Sequence, residues 1–250
     1  MSPRRDASND ASAPEPGRLA IIVAAGGHGV RLKGNQPKQY VDLLGVPMVQ
    51  RTIAALDSCK AVDRIVVVVN AEDVDYCHGE IVAERFSKVV AVVGGGEERA
   101  FSVRNGFNAL RRIGATEFVG VHDGARPLVR CEEITRARAR LAAAATLAGV
   151  VLAVPSVDTL KRVDAKGLVV ETPERGRFWR AQTPQIFRWE RFAVAYDQPD
   201  SVLAAVTDDS SLVEATGGRV VVVEGSPDNL KITDPGDVRA AEQILAARRR

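Results

Sequence analysis

Short apolar runs rich in β-branched residues recur along the chain. They are Leu19 to Val23, Arg64 to Val69 (RIVVVV), Lys88 to Val93 (KVVAVV), Glu117 to Val121 (EFVGV), Gly149 to Val154 (GVVLAV) and Arg219 to Val223 (RVVVV). Continuous apolar runs bounded by polar residues suit strands buried on both faces. Helical spacing fills the gaps: Met48 to Ser58, Asp73 to Phe86, Glu97 to Arg112, Cys131 to Leu147 and a last helix from about Pro235 to Arg248. That last helix has a good entry, Asp234 as N-cap and Pro235 at the first helical position. Strand and helix in alternation predict an α/β fold with a parallel, doubly wound sheet. Such sheets take ligands at the carboxyl ends of their strands, so chemistry is expected in the loops just after the apolar runs.

One segment breaks the rhythm. Val154 to Gln185 carries many charges and a turn signal, Asp164-Ala165-Lys166-Gly167. Leu160 to Val163 and Leu168 to Glu171 predict a hairpin around it. A lone hairpin is marginal in water, so it needs a partner surface.

Composition narrows the picture. The 250 residues suit one large domain. Residues 1–17, rich in Ser, Ala, Pro, Asp and Asn, read as a disordered tail without the apolar core of a secretion signal, which leaves 18–250 as the folded domain. The formal charge is +2, and setting aside residues 1–17 and Arg248 to Arg250 leaves 29 basic against 29 acidic residues. Nothing concentrates the basic charge that a nucleic acid would require. No run approaches the roughly 20 apolar residues of a membrane span. Cys59, Cys77 and Cys131 are odd in number and widely spaced, so free thiols in a cytoplasmic protein are expected.

Four motifs carry candidate chemistry. Ala24-Ala25-Gly26-Gly27-His28-Gly29-Val30-Arg31 follows the first strand, with Pro37-Lys38-Gln39 beyond. Small residues let backbone N–H groups approach phosphate oxygens, and Arg31 and Lys38 add positive charge. The spacing matches neither the Walker pattern nor G-x-G-x-x-G, so a nicotinamide dinucleotide is not favoured. Gly94-Gly95-Gly96-Glu97-Glu98-Arg99, then Ser102, opens a helix and suits a base-and-ribose pocket. His122-Asp123-Gly124-Ala125-Arg126-Pro127 puts a carboxylate at a strand end, where Mg²⁺ binds naturally, and His122 reads as a hydrogen-bonded neighbour. The fourth set is scattered: Asp158-Thr159, Arg175, Thr183-Pro184-Gln185, Thr207-Asp208-Asp209 and Asp228-Asn229-Leu230-Lys231. Its hydroxyls and cations suit a small phosphorylated polyol.

In this order the motifs A-A-G…R…P-K-Q, G-G-x-x-R-x-x-S-V, H-D-x-A-R-P, D-T, T-P-Q, T-D and D-N-x-K-x-T resemble the 2-C-methyl-D-erythritol 4-phosphate cytidylyltransferase family, from about Leu19 to the last helix. The resemblance implies a Rossmann-like, mostly parallel sheet with a projecting β-arm at about 155–182, and a homodimer built through that arm. It implies that CTP and methylerythritol phosphate are the substrates and Mg²⁺ the cofactor. Ala24, Ala25, Gly26, Gly96, Glu97 and Ser102 would hold cytidine. Arg31, Lys38 and Lys231 would hold the triphosphate and its transition state. Asp123, helped by Asp228, would bind the metal. Arg126, Thr159, Arg175 and Thr183 would hold the second substrate. Two features depart from the family's pattern: Gly26 to Gly29 is one residue longer than A-A-G-x-G, and Glu97 stands where Asp is frequent.

The implied reaction needs no general base, because the attacking substrate phosphate is already an anion; positioning and charge neutralisation remain. The readings this leaves beside it are a ribitol 5-phosphate cytidylyltransferase on the same scaffold, a nucleotidyltransferase acting on molybdopterin, and a non-catalytic nucleotide-binding module.

Overall fold

The computed structural model describes residues 15–27 and 37–248. Arg31, His28 and residues 1–14 of the expected tail lie outside them. Eleven strands and eight α-helices are described. The strands are β1 (Glu15–Ala24), β2 (Asp42–Leu43), β3 (Val46–Pro47), β4 (Arg64–Val69), β5 (Val89–Gly94), β6 (Thr116–Asp123), β7 (Gly149–Pro155), β8 (Arg162–Val163), β9 (Val169–Glu171), β10 (Trp179–Arg188) and β11 (Val220–Glu224). The helices are α1 (Met48–Asp57), α2 (Val74–Tyr76), α3 (Arg99–Ile113), α4 (Cys131–Ala142), α5 (Trp189–Tyr196), α6 (Asp200–Leu203), α7 (Asp209–Ala215) and α8 (Pro235–Arg248).

Seven strands form one sheet in the order β11-β7-β10-β6-β1-β4-β5. All neighbours run parallel except β10, which lies antiparallel to both β6 and β7. The chain winds outward from β1 to β4 and β5, then returns to the other side of β1 as β6. That reversal opens a crevice between the ends of β1 and β6, the place where doubly wound sheets bind ligands.

The apolar runs of β1, β4, β6 and β7 are buried on both faces because alternate residues feed two cores, whereas the edge strands β5 and β11 leave Val90 and Val222 exposed. Leu19, Ile21 and Val23 of β1 join Ile53 and Leu56 of α1 and Ile134, Ala137 and Leu141 of α4 on one face. Ala20 and Ile22 join Val103, Phe107 and Leu110 of α3 with Phe192 and Tyr196 of α5 on the other. Gly106 in α3 permits the close approach, since a Cβ there would lie 2.6 Å from Ile22 Cγ2. A third, smaller cluster, with Leu43, Met48, Leu128 and Ile232, seats α8 against the site.

Three expectations change. Asp73 to Phe86 is not one helix: a 3-10 turn at Ala71–Asp73, α2 and a π-turn at Cys77–Val82 follow one another. Gly79 in its middle weakens α-helical propensity. Second, Glu15 to Gly17, placed in the tail from composition, open β1, with Glu15 opposite Thr116. Third, Cys59 and Cys131 form a disulfide, Cα–Cα 5.1 Å, across 72 residues. Only Cys77 is free among the cysteines; it is buried, and burial with Asp73 nearby pushes its thiol up to about 12. The fold brings the end of α1 beside the start of α4, a proximity that spacing alone does not reveal.

The predicted hairpin forms from β8 and β9, antiparallel. Asp164 closes its turn: Oδ1 accepts from the Lys166 and Leu168 N–H groups, and Gly167 takes φ +83°. The arm leaves the sheet between the ends of β7 and β10, where Pro155 pairs with Trp179. Its apolar residues are bare, Leu168 at 64% and Val169 at 58% exposure. Among the described residues no helix is long and apolar enough to cross a membrane.

Candidate active site

A cavity of about 200 Å³ lies at the carboxyl edge of the sheet. Ala24, Ala25, Gly26 and Gly27 line it from the end of β1, and Gly96, Glu97, Arg99 and Ser102 from the start of α3. Asp123, Lys38 and Lys231 complete its polar wall. Nine expected residues, Ala24, Ala25, Gly26, Lys38, Gly96, Glu97, Ser102, Asp123 and Lys231, therefore meet in one place.

The glycines are required by crowding. A Cβ on Gly96 would lie 2.5 Å from Phe101 Cβ, and one on Gly124 would lie 2.8 Å from Ala25 Cβ. Ser102 Oγ accepts the Gly96 N–H (3.1 Å) and donates to the Gly96 carbonyl (3.3 Å). Its hydroxyl thus shapes the glycine turn.

Asp123 is the electrostatic centre. Its Oδ2 sits 3.0 Å from Lys231 Nζ and 3.3 Å from Arg126 Nε, and its Oδ1 3.5 Å from Arg99 Nη2. Burial alone would raise the carboxyl's pKa, but Lys231, Arg99 and Arg126 outweigh it and hold the group well below the usual carboxylate range. A carboxylate held in its ionised form by these cations faces the cavity. Lys231 arrives because the segment after β11 is tied down: the Ile232 N–H bonds the Ala125 carbonyl, and Asn229 Nδ2 donates to the Thr183 carbonyl.

Behind Asp123 lies a closed hydrogen-bond network. His122 Nε2 faces the Arg126 carbonyl (3.1 Å), which only accepts, so Nε2 carries the proton. His122 Nδ1 then accepts from Thr183 Oγ1 (3.0 Å), which in turn accepts the Asp123 N–H (3.0 Å). Burial pushes His122 down to about 4. The imidazole is neutral and fully engaged, as a hydrogen-bonded neighbour should be.

The remaining expected residues sit elsewhere. Arg126 and Thr183 adjoin Asp123 but do not line the cavity; Arg126 is buried and donates to the Asn229 and Ala181 carbonyls as well as to Asp123. Thr159 and Arg175 are exposed on the arm, where Arg175 Nη1 donates to the Val157 carbonyl. Asp228, expected to help with a metal, does not join Asp123: Arg130 (2.6 Å) and Arg248 (3.3 Å) hold its carboxylate away from the cavity. Arg31 lies outside the described residues.

Arg99, part of a recognised motif without an assigned role, joins the cavity wall. So do Gln39, Met48 and Glu98. A cation at the first position of a helix works against the helix dipole, and that was the available signal for Arg99.

The family pattern described as "IspD: 2-C-methyl-D-erythritol 4-phosphate cytidylyltransferase" matches residues 19–247. A protein of that name from Alkaliphilus metalliredigens is 40% identical over 93% of this chain and 95% of its own. Another, from Pelotomaculum thermopropionicum, is 41% identical over 92% and 95%. A solved 4-diphosphocytidyl-2C-methyl-D-erythritol synthase from Anaerococcus prevotii superposes with a TM-score of 0.77 at 29% identity, over 92% of this chain and 96% of that one. The Francisella tularensis 2-C-methyl-D-erythritol 4-phosphate cytidylyltransferase gives 0.74 at 31% identity, over 90% and 98%. The chain belongs to the 2-C-methyl-D-erythritol 4-phosphate cytidylyltransferase family.

Proposed function

We propose that this enzyme transfers CMP from CTP to 2-C-methyl-D-erythritol 4-phosphate and releases pyrophosphate. The observation that carries the reading is the glycine-lined cavity, with Lys38 in its wall, in which Lys231 and Arg99 flank an ionised Asp123. Cytidine occupies the Gly96–Ser102 side, and the triphosphate lies toward Lys38 and Lys231.

An oxygen of the substrate phosphate attacks the α-phosphorus in line. A new P–O bond forms, the bond from the α-phosphorus to the bridging oxygen breaks, and pyrophosphate leaves with that electron pair. The nucleophile needs no proton removed, which agrees with a neutral, fully bonded His122. Lys38 and Lys231 orient both phosphates and offset the charge that builds in the transition state.

The donor set fits Mg²⁺. Such a site takes one or two carboxylates plus substrate phosphates and waters. Asp123 presents one carboxylate to the cavity, and among the described residues no three His, Cys, Asp or Glu side chains form a ready-made cage. Asp123 would hold the ion, and Asp228 is spared for Arg130 and Arg248. When bound, the ion supplies charge neutralisation to the triphosphate.

The arm supports a homodimer. Its bare Val163, Leu168, Val169 and Val170 need cover, and Thr159 and Arg175 are exposed between its base and the β8–β9 hairpin. We place these two residues, with Arg126 and Thr183, at the methylerythritol phosphate end, the arm serving the partner's site.

Mass spectrometry of the product from CTP, methylerythritol 4-phosphate and Mg²⁺ tests the reading. A cytidine diphosphate ester of the polyol, equimolar with pyrophosphate, supports it; unchanged substrates refute it.

A further inference from the structure

Arg99 is the first residue of α3 and lines the cavity, with its guanidinium directed at Asp123. It is gripped from two sides. Asp123 Oδ1 is 3.5 Å from its Nη2, while Asp209 Oδ2 is 2.8 Å away in a direct hydrogen bond. The two anchors differ in kind. Asp123 faces the ligand and must also serve the phosphates and any cation that comes with them. Asp209 faces away, its side chain fully buried.

The sheet and its aromatic core fix Asp209. Tyr196 donates its hydroxyl to Asp209 Oδ1 at 2.5 Å, and its ring packs 4.4 Å from that of Phe192. Burial first, then Asp209, raise the Tyr196 pKa well above its ordinary value, so the hydroxyl stays a donor. Asp208 caps α7 by accepting the Ser211 N–H. Gln185 of β10 locks that cap: its Nε2 donates to Asp208 (2.8 Å), and its Oε1 accepts the Ser210 N–H (2.9 Å). Asp209 is thus a rigid carboxylate whose Oδ2 is aimed at one guanidinium. A charged pair placed at a dipole-opposed helix start, with one partner fully buried, is a poor stabilising device. It is a good way to hold a cation still beside a ligand.

We propose that Asp209 is a positioning residue for nucleotidyl transfer: it aims Arg99 at the ribose–α-phosphate segment of CTP and keeps it there when Asp123 is engaged by ligand. This rests on the functional reading above for the identity of the nucleotide. Tyr196 acts on Arg99 only through Asp209.

The test is a double-mutant cycle on the full chain, with pyrophosphate release followed at varied CTP and at varied methylerythritol phosphate. Asp209→Asn is expected to lower kcat/KM for CTP about tenfold or more, since a fixed cation becomes a wandering one. Its KM for methylerythritol phosphate should stay within about twofold. Arg99→Gln should lose at least as much, and adding Asp209→Asn to Arg99→Gln should cost nothing further. Tyr196→Phe should show a smaller loss of the same kind. Wild-type constants in Asp209→Asn, or losses that multiply in the double variant, would overturn the proposal.

Should Asp209→Asn not fold, Arg99→Lys replaces it. Lysine keeps the charge but cannot span both carboxylates, so a comparable loss is expected and wild-type activity would overturn the claim. Direct CTP titration separates the two readings. If wild type binds CTP but transfers nothing, the transfer reading fails while the Arg99–Asp209 coupling is still measured as non-additive losses of CTP affinity. Unchanged affinity in both single variants would then sink it.

Discussion

Lys231→Ala separates catalysis from stability most cleanly. Lys231 Nζ lies 3.0 Å from Asp123 Oδ2, with its side chain 42% exposed, so solvent screens the pair. Such a half-exposed pair contributes about 1 kcal/mol or less to folding. Asp123 does not become an orphan, because Arg126 and Arg99 stay at 3.3 and 3.5 Å. The expected melting shift is about 2–4 °C for a chain of this size. The catalytic cost is of another order: removing one preorganised charge from a developing transition state costs about 3 kcal/mol, or roughly 10²-fold in kcat. The assay is continuous pyrophosphate release at saturating CTP and methylerythritol phosphate, beside a thermal melt of the same sample. A kcat within about threefold of wild type would refute the assignment of Lys231 to the transition state. So would a melting loss large enough to explain the lost activity by unfolding.

Other outcomes follow from the same geometry. Burial holds His122 near 4 in the folded chain, against about 6.5 when unfolded. Between those values the unfolded chain binds a proton that the folded one refuses, so stability falls as pH drops through the window, by about 3 kcal/mol in all. Denaturant unfolding at pH 7 and pH 4.5 should show a steeper fall for wild type than for His122→Asn, and equal falls would contradict it. Gly96→Ala, whose Cβ meets Phe101 at 2.5 Å, should displace the turn and weaken CTP binding, read by calorimetry, more than it lowers the melting point. If the arm serves the partner's site, as proposed, mixing Lys231→Ala with Arg175→Ala should restore about a quarter of wild-type activity, because one site in each mixed dimer would regain a good body and a good arm. No gain on mixing would place Arg175 in its own subunit's site or outside any site.

The sheet could be read from the chain because its central strands are buried on both faces and so appear as unbroken apolar runs, and the edge strands β5 and β11 keep the same valine-rich pattern. Arg64–Val69 and Pro235–Arg248 match their expected bounds to the residue. β10 escaped because Trp179–Arg188 mixes Arg, Gln, Thr and Pro with few β-branched residues; it is a strand because β6 and β7 flank it. The short helices α5, α6 and α7 escaped for a related reason: each is too brief to show a sustained period and is held by the few residues it buries in the second core, Phe192 and Tyr196, Leu203, and Leu212 and Val213. Motif residues at strand ends gathered as expected because parallel strands deliver their carboxyl ends to one edge. Asp228 did not, because Arg130 and Arg248, 98 and 20 residues away in sequence, capture its carboxylate. The Asp209–Arg99 link spans 110 residues, and only the tertiary fold reveals it.

The central claim is the pairing of CTP with a methylerythritol phosphate acceptor. Its most direct test offers methylerythritol 4-phosphate and ribitol 5-phosphate in parallel, each with CTP, ATP or GTP and Mg²⁺, and measures pyrophosphate. Release with CTP and methylerythritol phosphate alone is the predicted result. Release with ribitol phosphate in its place would contradict the acceptor, and silence in every well would contradict the transfer itself.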